Sequence, residues 1–186
     1  EVLISVDTFL APVAEAALEC GASWINDVSG GRRDPDLLQV VADAGCPVVL
    51  MHSRGNSTTM DELTDYSDLI EEVKAGLRDR TDSAIAAGIK EDQIIWDPGL
   101  GFAKTHEQNL SLLNSLEQLT CEPRPLLVGP SRKRFIGAVL DEPRPKARLW
   151  GTAAVACRCA QAGVALVRVH DVGPIAQTLR MASALW

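Results

Sequence analysis

The chain has 186 residues, 46% hydrophobic and 23% charged, with a formal net charge of -7. That balance suits one soluble globular domain with a sizeable core, and its acidity excludes the basic footprint on which general nucleic-acid binding relies. No apolar run reaches membrane-span length, no charged leader precedes an apolar core, and the five cysteines form no CxxC pair, so they read as reduced thiols of a cytosol-like compartment.

The first strand is expected over Val2-Leu3-Ile4-Ser5-Val6, buried and ending at Asp7-Thr8. A helix follows from Pro12 to Cys20, stopped by Gly21. Ser23-Trp24-Ile25 is a second strand, ending at Asn26-Asp27 and the glycine-rich loop Ser29-Gly30-Gly31. Asp34-Pro35 opens the next helix as N-cap and first position, with Leu37, Leu38, Val40, Val41 and Ala44 on its apolar face. The third strand, Pro47-Val48-Val49-Leu50, runs into Met51-His52. A polar loop, Ser53 to Thr64, leads to a long helix from about Tyr66 to Ala87. Gln93-Ile94-Ile95-Trp96 is the fourth strand and ends at Asp97-Pro98-Gly99-Leu100-Gly101-Phe102. One helix is predicted over Glu107–Leu119, with Leu110, Leu112, Leu113, Leu116 and Leu119 inward. Leu126-Leu127-Val128 is the fifth strand; Gly129-Pro130 breaks it and delivers Ser131-Arg132-Lys133-Arg134. A short helical turn through Phe135-Ile136 and a longer helix from about Pro145 to Ala162 come next. Ala165–Val169 is the sixth strand, ending at His170-Asp171, and a last helix runs from about Pro174 to Leu185.

Regular alternation of buried strand and amphipathic helix predicts a parallel sheet with right-handed crossovers. An open doubly wound sheet usually carries a glycine-rich phosphate turn after its first strand. Here that turn reads Asp7-Thr8-Phe9-Leu10. A TIM (β/α)8 barrel takes about 250 residues. The chain is therefore expected to hold the last six of eight βα units, as a single domain over residues 1–186 that is incomplete at its N-terminus.

The polar residues fall at the C-terminal end of each predicted strand: Asp7, Asn26, His52, Asp97, the Ser131–Arg134 cluster, then Arg168, His170 and Asp171. In parallel α/β folds that end faces the site. A single Asp after a strand is commonly an N-cap, and a lone basic pair is commonly a solvated loop. Polar residues at all six ends outweigh both readings. Arg168 is placed inside an apolar strand, where a structural role would need a buried ion pair of doubtful benefit. His170 lies two residues on, on the same face of an extended chain. Carboxylates at Asp7 and Asp97 accept from guanidine-like N–H groups, Asn26 both donates and accepts, and Lys133 donates to a ring nitrogen or carbonyl. Arg168 can stack on a ring or pair with phosphate. Together they suit a planar heterocycle attached to an anionic group. No His/Asp/Glu spacing matches a dedicated metal site.

These residues resemble those of the dihydropteroate synthases, of the pterin-binding barrel family. The resemblance runs through Ser5-Val6-Asp7-Thr8, Ile25-Asn26-Asp27-Val28, Leu50-Met51-His52 with Arg54-Gly55, and Asp97-Pro98-Gly99-Leu100-Gly101-Phe102. It continues in Leu127-Val128-Gly129, Ser131-Arg132-Lys133-Arg134-Phe135-Ile136-Gly137 and Val167-Arg168-Val169-His170-Asp171-Val172. It implies condensation of 4-aminobenzoate with 6-hydroxymethyl-7,8-dihydropterin diphosphate, giving 7,8-dihydropteroate and diphosphate. By the same resemblance, Asp7, Asn26, Asp97 and Lys133 hold the pterin, while Val28, Met51, Phe102 and Gly129 wall its pocket. Arg168 and His170 handle the diphosphate. Ser131 belongs to the substrate-binding loop, and Lys133, Arg134 and Phe102 lie towards the aminobenzoate. The catalytic set is Lys133, Asp97, Arg168 and His170.

The resemblance further implies a magnesium cofactor, Mg(2+), a cytoplasmic enzyme and a homodimer built on the late helices. The expected magnesium ligand, an asparagine of the first units, and two mobile loops are not among these residues, so the chain alone is expected to have little synthase activity. Ala103 stands where the family usually has glycine, a change expected to matter little. A methyltetrahydrofolate-binding methyltransferase of the same barrel family is the alternative enzyme, against which Ser131–Arg134 with Phe135-Ile136-Gly137 argues. A non-catalytic fragment or dimerisation module is the alternative of a different class.

Overall fold

A computed structural model describes residues 2–185; Glu1 and Trp186, the ends of the predicted domain, lie outside the described residues. The chain divides into two compact units, the first reaching up to Ser53 and including Glu71–Gly99, the second comprising Arg54–Ile70 and the chain from Leu100 onwards.

The first unit is built on a four-stranded parallel sheet in the order β1 (Ser5–Asp7), β2 (Trp24–Asp27), β3 (Val48–Met51), β4 (Ile94–Asp97). Helices α1 (Ala11–Glu19), α2 (Asp36–Ala44) and α3 (Leu69–Ala86) follow the first three strands. β3 and β4 are buried on both faces, as strands covered by crossover helices must be, which explains their unbroken apolar runs. β1 differs from expectation. Val2, Leu3 and Ile4 lie outside it and are exposed, because β1 pairs on one side only, with β2. The N-cap of α2 is Pro35, one residue after the Asp34 expected there; Asp34 still accepts the Ala11 N–H through Oδ2 at 2.7 Å and the Asp36 N–H through Oδ1 at 3.2 Å. One carboxylate thus serves the first turns of α1 and α2.

The second unit contains the two-stranded parallel sheet of β5 (Leu127–Val128) and β6 (Leu166–Val167). The helix predicted over 107–119 is two, α4 (His106–Asn114) and α5 (Glu117–Thr120), broken at Ser115. Leu112, Leu113, Leu116 and Leu119 are buried as expected, but Leu110 is exposed. Thr105 caps α4 reciprocally with Gln108. Then come α6 (Arg134–Leu140), a short 3-10 turn at Pro145–Arg148, α7 (Leu149–Gln161) and α8 (Val172–Leu185). α7 packs on α8 through Ala153, Ala156 and Ile175. Arg158 of α7 reaches both Glu117 oxygens at 2.6 Å, and that pairing holds the Glu117 carboxyl down at about 2.

Candidate active site

In the first unit the parallel register sets the strand ends side by side: Asp7 beside Asn26, and Met51 beside Asp97. Asn26 is buried, and its Nδ2 donates to Asp7 Oδ1 at 2.6 Å. Its Oδ1 is buried with no partner among the described residues. An unsatisfied buried acceptor costs about 1–3 kcal/mol, so Asn26 presents a carbonyl that an N–H of a ligand would satisfy. Asp97 is buried, with Oδ1 accepting the Gly99 N–H at 2.7 Å. Met51 is buried and Val28 half-buried. His52 is also buried, its N–H donating to Asp97 O at 2.8 Å and its ring lying over Gly76, where a Cβ would fall 2.8 Å from Cδ2. His52 is thereby a packed core imidazole. Asp27, the neighbour of Asn26, is wholly buried and accepts the N–H groups of Ser29 (2.7 Å) and Gly31 (2.5 Å). It fixes the turn after β2, a role that the sequence signals only through the glycines following it.

In the second unit, Lys133 Nζ lies 4.4 Å from the centroid of the Phe102 ring, a cation–π contact. The Lys133 stem runs along Gly101, whose hypothetical Cβ would sit 3.2 Å from Lys133 Cδ. Ser131 is buried; its Oγ accepts the His170 N–H at 3.2 Å and bonds His170 Nδ1 at 2.8 Å. The serine therefore orients the imidazole and leaves Nε2 outward. Gly129 is half-buried, and a Cβ there would meet nothing within 4 Å, so space beside this backbone is open to a ligand.

Arg168 corrects one expectation. It is exposed and lies beyond the two-residue strand β6, its N–H donating to Val128 O at 2.9 Å. A guanidinium there has no need of a buried ion pair. Arg132 and Asp171 are engaged with each other in a bidentate pair, at 3.1 and 2.7 Å. The Arg132 hydrogen bond holds the Asp171 carboxyl below the usual carboxylate range. Arg134 is exposed and pairs with Asp61, at 2.8 and 3.2 Å, pulling the Asp61 carboxyl down likewise. Ala103, where the family usually has glycine, takes φ 47, a left-handed conformation that costs a residue with a Cβ about 1 kcal/mol.

Two residues that sequence reasoning passed over hold this loop. Arg148 is only 8% exposed and donates to the carbonyls of Glu142, Pro143, Arg132 and Lys133. Thr152 Oγ1 accepts the Arg132 N–H at 3.2 Å.

Acceptors at the carboxyl ends of the first unit's parallel strands, and donors after the strands of the second, are in each unit the strand-end pattern of a parallel α/β protein that reads a small polar ligand. More narrowly, the family model described as pterin binding enzyme matches residues 1–170, and the chain belongs to that family. It is 50% identical over 186 residues to a dihydropteroate synthase of Synechocystis sp., covering 100% of this chain and 64% of that relative's length. Two solved structures of the Thermus thermophilus dihydropteroate synthase are 39% identical to it. The one in complex with 6HMPPP gives a TM-score of 0.93, covering 99% of this chain and 72% of that one. The one in complex with 4-aminobenzoate gives 0.94, covering 100% and 71%. The fold is accordingly that of the barrel, and the six βα units are those of a chain spanning under two thirds of the Synechocystis relative.

Proposed function

We propose that the protein carrying this sequence is a dihydropteroate synthase of folate biosynthesis. The carrying observation is the Asn26–Asp7 pair, with a buried Asn26 Oδ1 that lacks a donor among the described residues. A pterin's aminopyrimidine edge supplies N–H groups of the kind this acceptor and the Asp7 and Asp97 carboxylates require. Lys133, held over Phe102, is a donor suited to the acceptor edge of such a ring.

In the reaction so assigned, the C–O bond to diphosphate breaks with its electron pair leaving on the diphosphate. The amine of 4-aminobenzoate then forms the C–N bond to the pterin methylene and loses a proton. Arg168 and His170 stabilise charge on the departing diphosphate, and carboxylates beside the pterin stabilise the methylene cation. Ser131 keeps the His170 ring in one orientation throughout. Magnesium belongs to the proposal as a cofactor. Among the described residues no three His, Cys, Asp or Glu side chains converge on a metal position, so these residues do not themselves fit the ion and no step is routed through it.

The test is turnover. The full-length protein is expected to form pteroate from 4-aminobenzoate and the dihydropterin diphosphate, and Lys133→Ala to bind pterin about tenfold more weakly by calorimetry, the acceptor edge being left unpaired. Methyl transfer without pteroate formation, or unchanged binding by Lys133→Ala, would count against the assignment.

The proposal includes a cytoplasmic homodimer. Among the described residues no helix is long and apolar enough to cross a membrane, and all five cysteines are thiols. Val139, Trp150 and Met181, on α6, α7 and α8, are large exposed apolar side chains, Trp150 being 75% exposed. Sedimentation is expected to show a dimer that Trp150→Lys weakens; an unchanged monomer would refute it.

A further inference from the structure

The loop after β3 is fastened within the second unit by side chains. Arg134 takes both oxygens of Asp61, Gln108 Nε2 donates to Thr64 O at 2.7 Å, and Tyr66 Oη donates to Ala103 O at 2.9 Å. Beneath lies a cavity of about 260 Å³ lined by Asp61, Gly101, Lys104, Asn109, Arg134 and Phe135, among others. Gly101 also bears the Lys133 stem, so this cavity adjoins the Lys133–Phe102 contact.

The three cations of the loop are not equally available. Lys133 lies against the Phe102 ring. Arg132 and Asp171 are each about a quarter exposed, whereas Arg134 and Asp61 are 63% and 64% exposed. An ion pair so open to solvent is worth at most about a fivefold change in an equilibrium. The guanidinium fork donates bidentately to any carboxylate. Arg134 is therefore the cation of the loop that can exchange its partner at least cost.

We propose that Asp61 is a specificity-determining competitor: Arg134 holds it until the carboxylate of 4-aminobenzoate takes its place, releasing the 54–65 loop from α6 as it does so. The inference rests on the synthase reading. Its consequence is selective, because the exchange weakens binding of anionic amines and leaves neutral ones untouched.

The experiment compares 4-aminobenzoate with neutral 4-aminobenzamide as amine substrate of the full-length protein at low ionic strength, where exposed charges are least screened. Asp61→Asn is expected to lower KM for the acid about threefold, with kcat unchanged and the KM for the amide unmoved. Asp61→Ala is expected to act in the same direction, and Arg134→Gln to abolish the effect of Asp61→Asn. Equal shifts for acid and amide, or no shift in either aspartate variant, would show the pair to be merely structural and overturn the inference while the synthase reading stands. Wild-type protein that forms no pteroate overturns that reading and this inference with it.

Discussion

Replacing Arg148 by methionine is expected to destabilise the fold by about 3 kcal/mol, although the sequence marks the residue only as part of the first turn of a helix. Its guanidinium is buried, with Nε on Glu142 O at 2.9 Å, Nη2 on Pro143 O at 2.7 Å, and Nη1 on Arg132 O at 3.0 Å and Lys133 O at 3.4 Å. Methionine keeps much of the stem's packing and supplies no donor, so these carbonyls are left without it. The lesion also reaches the site. Arg132 sits at φ 60, a conformation costly for a residue with a Cβ, and it is held there by Asp171, by Thr152 and by Arg148 from beneath. Loosening that hold frees the backbone that aims Lys133 at Phe102. Arg148→Lys is expected to rescue little, since a single ammonium cannot span the carbonyls the planar fork reaches. Urea unfolding measures the loss; an Arg148→Met variant within 1 kcal/mol of wild type would refute the assignment. Gly137 offers a cross-check, because a Cβ there would lie 2.5 Å from Arg148 Nε.

What the sequence could reveal follows from where the determining contacts lie. The alternation of strand and helix is local, and every predicted strand is present: β1, β5 and β6 are shortened, while β2, β3 and β4 extend one or two residues further toward their C-terminal ends. The strand-end residues were legible because a buried parallel strand is apolar until it leaves the sheet, so Asn26 and Asp97 stand out at once. Arg148 was hidden because its partners lie five to sixteen residues away and because Gly137, which makes room for it, looks like any helix glycine. Arg168 was misread for a related reason. A run of apolar letters does not say how many rungs pair, and β6 pairs at Leu166 and Val167 alone. The division of Ser131–Arg134 into separate tasks depends on Asp171, Asp61 and Phe102, distant in sequence and brought in by the second unit's packing. A cluster of cations shows that acceptors will be met, and not which cation meets which.

Gly99→Ala is expected to be the most damaging single methyl group that can be added to the site, costing about 4 kcal/mol or more in stability. Gly99 has φ 70, and an added Cβ would lie 1.9 Å from the His52 carbonyl oxygen and 3.1 Å from its carbon. Those are backbone atoms of a residue tied to β4, since the His52 N–H donates to Asp97 O at 2.8 Å. No rotamer change relieves such a clash; either the β3 end or the turn after β4 must shift. A shift of the turn removes the Gly99 N–H from Asp97 Oδ1, where it sits at 2.7 Å, and with it the orientation of a carboxylate assigned to the pterin. Stability and ligand affinity should therefore fall together in this variant. Gly129→Ala provides the contrast: its Cβ would meet no atom within 4 Å, so the fold should change by less than about 1 kcal/mol. Any loss of pterin affinity there would come from filling space the ligand uses. Urea midpoints and calorimetric titration on both variants decide the matter. A stable, tightly binding Gly99→Ala protein would mean that the turn after β4 yields far more readily than its contacts imply.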